Sequence, residues 1–238
     1  MTNTDPVESF EIERKYAVAE NAVLPPAAAF AALGLVLDAP EEHRLEARYF
    51  DTPDFALGAQ RVAVRERRGG KDEGWHLKEK GAAGARELLW PPASSMPAGL
   101  EGEIRRRIGG ARARVGVIAR LSTVRIVVRV RDASGEEVVE IADDRVDALN
   151  ELEGGRQRWR EWEAELMPGA DAALLDGIER VFEAAGARRV RGISKIQRAM
   201  GASTAGASPA ASADPPAAPD DPATVPGDLS AADRKVEP

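Results

Sequence analysis

Phe10-Glu11-Ile12-Glu13-Arg14-Lys15-Tyr16-Ala17-Val18 is the stretch on which the reading of this chain turns. Side chains of a strand alternate between its two faces, so Glu11, Glu13 and Lys15 share one face while Ile12, Tyr16 and Val18 share the other. One such strand is an ordinary wet surface. The same division into an apolar and a charged set recurs at residues 45–50, 61–67, 74–80, 86–90, 124–131, 136–143 and 158–166, each bounded by Gly, Pro, Asp or Ser. Arg65 shares a face with Arg67, Lys78 with Lys80, Arg125 with Arg129 and Arg131, and Glu161 with Glu163 and Glu165. Curled together, these faces line a concave polar cavity. The expected fold is mainly β (α+β): a closed eight-stranded antiparallel β-barrel, wide enough for a small ligand, with a few peripheral helices. Helices are expected at 26–33, 100–108 and 171–185; the last places Leu174, Leu175, Ile178, Val181, Phe182 and Ala185 on one stripe and stops at Gly186.

Composition narrows the chemistry. The chain has 238 residues, 43% of them hydrophobic, and a net charge of -7, which argues against broad attraction to duplex nucleic acid or an anionic membrane. Any anion site must be local. With no cysteine, thiolate catalysis, disulfides and cysteine-ligated zinc fall away. The two histidines, His43 and His76, lie beside no serine on a sharp turn, as a Ser-His-Asp hydrolase needs. No leader-like segment and no continuous apolar run of ~18 residues is visible, so a cytoplasmic location without membrane association is expected. Residues 1–200 read as one domain. Residues 201–238 are almost entirely Ala, Ser, Pro, Asp, Gly and Thr and are expected to form a disordered tail, because so few large apolar side chains cannot offset the entropy of folding.

A cavity holding separate groups of cations and carboxylates suits a condensed phosphate. Lys and Arg neutralise the non-bridging oxygens, Arg with two bonds at once. Carboxylates hold Mg²⁺ or Mn²⁺, hard cations that bridge protein and phosphate. Glu11 with Glu13, and Glu163 with Glu165, are spaced two apart on one strand and can each reach one metal.

The run Glu11-Ile12-Glu13-Arg14-Lys15 also resembles the ExExK motif of the CYTH family, the triphosphate tunnel enzymes. It keeps the family's company in order: Tyr49-Phe50-Asp51-Thr52-Pro53-Asp54, Val64-Arg65-Glu66-Arg67, Gly74-Trp75-His76-Leu77-Lys78, Ala142-Asp143-Asp144-Arg145-Val146, Glu161-Trp162-Glu163-Ala164-Glu165-Leu166 and Ser194-Lys195-Ile196-Gln197-Arg198-Ala199. The likeness spans roughly residues 8–200. Related chains often continue into a helical phosphate-binding domain called CHAD; none is expected within these 238 residues.

The resemblance implies roles position by position. Glu11 and Glu13 match metal-binding carboxylates, completed by Glu163 and Glu165 across the tunnel. Asp144 is preferred to Asp143 as a further ligand, since it shares parity with Glu140 and Ala142. Lys15, Arg65, Arg67, Lys78, Arg125 and Lys195 match phosphate-binding positions; Lys15, Lys78, Glu87 and Lys195 are the catalytic candidates. Glu161 is placed at the periphery, Lys80 on the surface, and His76 is given no role. One departure stands out: the family pattern Arg-x-Glu reads Ala85-Arg86-Glu87, so Arg86 should face outward and one phosphate contact is lost or passes to a neighbour such as Lys80.

The implied activity is metal-dependent hydrolysis of a triphosphate, favouring inorganic triphosphate to pyrophosphate and phosphate, with one metal orienting the substrate and a second activating the attacking water. Thiamine triphosphate hydrolysis, a class IV adenylate cyclase and a non-catalytic polyphosphate- or nucleotide-binding module are the alternatives. The expected partner is a triphosphate-containing small molecule. A homodimer stays open.

Overall fold

The computed structural model describes residues 5–109 and 114–202. In chain order the elements are β1 (Val7–Ala17), α1 (Ala27–Ala31), β2 (Val36–Leu37), β3 (Glu41–Asp51), α2 (Ala56–Ala59), β4 (Val62–Arg68), β5 (Gly74–Lys80), β6 (Ala85–Trp90), α3 (Ala98–Ile108), β7 (Gly116–Arg131), β8 (Glu137–Asn150), β9 (Arg156–Leu166), α4 (Ala173–Ala184), β10 (Arg188–Val190) and α5 (Lys195–Ala199). Eight strands follow one another as β1-β6-β5-β4-β3-β7-β8-β9, and β9 pairs back onto β1, so the antiparallel barrel closes. The closing ladder sets Lys15 opposite Glu163 and Glu13 opposite Glu165. Strands β2 and β10 are short additions to β7 and β1. The expected disordered tail falls, from residue 203 onward, outside the described residues.

The barrel inverts the usual arrangement, because its apolar faces point outward onto helices. Tyr16, Trp162, Val139 and Ile141 pack under α1 and α4, where Phe30, Leu175, Ile178 and Phe182 are buried. The Phe182 ring stands 5.1 Å from both Tyr16 and Trp162. On the opposite flank Val62, Val64, Trp75, Leu77, Leu88 and Trp90 pack with Leu57 of α2 and with Leu100 and Ile104 of α3. Each fully buried side chain of this size contributes roughly 1.5–3 kcal/mol, and the helices supply the cover that leaves the inward faces free to be charged. A third cluster gathers Ala119, Leu121, Val146, Ala148 and Trp159 against Ala199, Ile196 and Met200, so α5 seats on an apolar part of the barrel.

The strands run longer than their alternation suggests. The strand expected over 136–143 continues as β8 through Asp144 and Arg145 to Asn150. The two aspartates are taken up on opposite faces: Asp143 accepts from Arg160 at 2.8 and 2.6 Å, and Asp144 accepts from Arg125. The elements absent from the sequence reading, α2, α5, β2 and β10, span two to five residues, less than about two helical turns or a typical strand, too short for a period to show.

Candidate functional site

The inward faces enclose a cavity of about 420 Å³ lined by residues of every barrel strand but the short additions. Alternation in β1 sends Glu11, Glu13 and Lys15 inward. Lys15 Nζ donates to Glu13 Oε2 at 2.8 Å and to Glu163. From β5, Lys78 Nζ donates to Glu13 Oε1 at 2.9 Å and to Glu11. Burial opposes the Glu13 anion, but Lys15 and Lys78 outweigh it and hold its carboxyl down to about 2. Glu11 goes the other way: burial first, then a hydrogen bond shared with Glu87, push it up to about 8. Burial and the facing Glu13 likewise raise Glu165.

The β4 arginines enter from the next wall. Arg65 Nη2 lies 3.5 Å from Glu87 Oε1, and its buried Nε has no acceptor among the described residues. Arg67 meets Asp72 of the β4–β5 turn. Burial opposes the charge of Glu87, yet His76 and Arg65 outweigh it and hold this carboxyl well below its ordinary value. His76 is fully buried; its Nδ1 faces Glu87 Oε1 at 3.1 Å and its Nε2 the Asp72 carbonyl oxygen at 2.9 Å. A carbonyl only accepts, so Nε2 carries a proton. Tyr49 is buried beside Arg65, Arg67 and Lys195, and its phenol is held below its ordinary value, these cations outweighing burial.

Opposite, Arg125 of β7 donates two bonds of 2.7 Å to Asp144 and one of 2.8 Å to Glu163. Lys195, at the start of α5, has its Nζ 2.8 Å from Asp144, 2.8 Å from Glu161 and 2.6 Å from Glu163. A Ser194–Gln197 capping box fixes that first turn and so the lysine's approach. Asp144, Glu161 and Glu163 are buried and offer oxygens within 4.8 Å of one another. Three converging carboxylates are a hard-oxygen donor set that fits Mg²⁺ or Mn²⁺, and an ammonium already sits against all three.

The residues singled out in the sequence, Glu11, Glu13, Lys15, Arg65, Arg67, Lys78, Glu87, Arg125, Asp144, Glu163, Glu165 and Lys195, therefore lie around one cavity. Three placements differ from expectation. Glu161 is not among the cavity-lining residues, yet it joins Asp144 and Glu163 around Lys195, and its parity with Glu163 was the available signal. Lys80, though exposed, lines the cavity, directly opposite Ala85. His76 lines the cavity from β5 on the parity of Lys78, and Asp72 joins it from the β4–β5 turn, which carries no periodic signal. Arg86 faces outward, where it pairs with Glu8.

Comparison with known proteins agrees with this geometry. The family model described as the CYTH domain matches residues 9–200. Two uncharacterised proteins of Mycobacterium tuberculosis are each 33% identical over 221 residues, covering 86% of this chain; the chain spans 42% of their length. Among solved structures, a Bacillus halodurans protein provisionally called an adenylate cyclase aligns with a TM-score of 0.56 at 20% identity, over 80% of this chain and 97% of that one. An adenylyl cyclase of Hippeastrum, provisionally so named and said to reveal a dominant triphosphatase activity, aligns with a TM-score of 0.45 at 18% identity, over 80% and 96%. The inward-facing cations and carboxylates of one closed barrel and the match over residues 9–200 lead to the same conclusion: this chain belongs to the CYTH domain family, whose members act on triphosphates.

Proposed function

We propose that this protein hydrolyses inorganic triphosphate to pyrophosphate and phosphate with Mg²⁺ or Mn²⁺. The observation that carries the reading is the presence of both charge signs in one cavity. Anion binding alone gains nothing from buried carboxylates, which repel the ligand; metal-assisted phosphoryl transfer needs them.

Lys15, Arg65, Arg67, Lys78, Arg125 and Lys195 bind and orient the phosphate chain, the arginines through two-oxygen contacts. The unpaired Nε–H of Arg65 is a donor that an incoming phosphate oxygen satisfies. Glu11, Glu13, Asp144, Glu161, Glu163 and Glu165 are the residues to hold the cation. When bound, the cation neutralises phosphate oxygens and lowers the pKa of an attacking water. Glu87, kept anionic by His76 and Arg65, would accept a hydrogen bond from an attacking water and orient it. Most of the rate comes from positioning and charge stabilisation.

The choice of inorganic triphosphate rests on the cavity walls. Trp75, Trp90, Trp159 and Trp162 are all buried in the apolar clusters, and none lines the cavity, so no tryptophan face is offered to thiamine or adenine. The deciding assay offers inorganic triphosphate, thiamine triphosphate and ATP to the purified protein with Mg²⁺ or Mn²⁺ and identifies the products. Phosphate and pyrophosphate from inorganic triphosphate are expected. Cyclic AMP from ATP would make the protein a cyclase, and tight binding of triphosphate without turnover would make it a binding module.

A further inference from the structure

The β4–β5 turn, Gly69-Gly70-Lys71-Asp72-Glu73, crosses one wall of the cavity, and Gly70, Lys71 and Asp72 line it. Gly69 and Gly70 have φ of 79° and 81°, and a Cβ on Gly69 would stand 2.3 Å from the Arg44 carbonyl oxygen. Only glycine tolerates that backbone at that distance. The turn is thus pressed onto β3 and aims its next two side chains inward. Lys71 reaches Glu140 on β8. Asp72 contacts Arg67 with its carboxylate, comes within 4.0 Å of Arg65, and accepts the His76 Nε2–H with its carbonyl.

Arg67 has a side chain only 8% exposed, and among the described residues Asp72 is its sole carboxylate partner. A buried guanidinium needs an anion, and a carboxylate presents the same pair of oxygens as a phosphoryl group. We infer that Asp72 is an internal stand-in for phosphate, seated on Arg67 until a condensed phosphate displaces it, and that it sets how much negative charge an anion needs to enter. The inference rests on the triphosphate reading of the cavity.

Tethering gives Asp72 a high local concentration at Arg67. Orthophosphate brings one phosphoryl group to that contest and gains little elsewhere. Triphosphate also engages Lys15, Lys78, Arg125 and Lys195, and those contacts offset the displacement. The residue therefore discriminates by phosphate chain length. Burial works against its charge, but Arg67 and then Arg65 outweigh it and hold the carboxyl below its ordinary value, so the stand-in is an anion at neutral pH.

The test is calorimetric binding of orthophosphate and inorganic triphosphate, in EDTA, to the full chain and to Asp72→Asn. The variant should bind orthophosphate on the order of tenfold more tightly, the worth of one charge-assisted contact, with a smaller gain for triphosphate. In the unaltered protein, triphosphate should speed amide exchange over residues 69–73 while slowing it in β4 and β5; this measurement decides alone should the variant not fold. Unchanged orthophosphate affinity in a folded variant, or exchange over 69–73 that stays constant or slows, overturns the inference and leaves the triphosphate reading standing. Absence of triphosphate binding by both proteins, in EDTA and again with Mg²⁺, removes that reading and the inference together.

Discussion

Glu13 on β1 stands directly opposite Glu165 on β9, in the ladder that closes the barrel. Like charges so placed cost stability, roughly 0.2–1 kcal/mol even at an exposed site, and here both side chains face the cavity. Glu13 stays charged against Lys15 and Lys78, while Glu165 is shifted toward its protonated form. A site kept at a structural cost should show it on replacement. Glu165→Gln is expected to melt at or above the temperature of the original protein while losing on the order of a hundredfold in metal-dependent turnover. Calorimetry beside a phosphate-release assay checks it; a less stable and fully active variant would refute the assignment.

Glu11 gives the metal-free protein a pH dependence whose sign can be worked out. Its folded pKa of about 8 lies above the ordinary 4.5, so the folded state binds this proton more tightly than the unfolded chain. The resulting stability is fully present below pH 4.5 and is lost as pH rises through about 8. In EDTA the melting temperature should fall across that window, and Glu11→Gln should flatten this part of the fall. Mg²⁺ requires the carboxylate, so its binding at neutral pH should release a proton. Titrations in two buffers of different ionisation enthalpy measure that release directly.

Lys195 holds three buried carboxylates together, two of which also meet Arg125. Removing one partner of a buried charge cluster typically costs about 3–5 kcal/mol. Lys195→Ala should therefore lower the metal-free melting temperature, and Mg²⁺ should restore much of the loss, since a divalent cation takes over the role of the ammonium. A larger Mg²⁺-induced shift in the variant than in the original protein is the expected result. An equal or smaller shift would place the cation elsewhere.

The fold was legible because its strands keep a strict period of two and their punctuation is conventional. Charge on one face and bulk on the other, as in Glu11, Glu13 and Lys15 against Ile12 and Tyr16, states which face is enclosed once eight strands are counted. Most site residues followed from the same parity. The departures have physical causes. The strand expected to end at Asp143 runs on to Asn150, because single-strand reasoning cannot see Arg160 and Arg125 waiting for the two aspartates on opposite faces. Glu161 has the parity of Glu163, but nothing in the sequence shows that Lys195 reaches it. Asp72 depends on the path of a glycine turn, which no alternation records, whereas His76 has the parity of Lys78 and its partner in that turn is what the sequence leaves out.

Lys80 lines the cavity on the parity of Lys78, directly opposite Ala85. Ala85 is buried on the inward face of β6, opposite Glu11 on one side and Lys80 on the other. A small residue there leaves the Lys80 ammonium room to approach the cavity. Among the described residues Lys80 has no carboxylate partner, unlike Lys15, Lys78 and Lys195, so its charge is free to meet a ligand. A contact made equally in bound substrate and transition state changes KM and leaves kcat nearly untouched. Lys80→Ala should accordingly raise KM for inorganic triphosphate by roughly three- to tenfold, the range of one partly solvated charge contact, with kcat within about twofold. Steady-state kinetics at saturating Mg²⁺ separates the two terms. A fall in kcat alone would mean that Lys80 acts at the reacting phosphorus, and an unchanged KM would mean that the space beside Ala85 receives no phosphate.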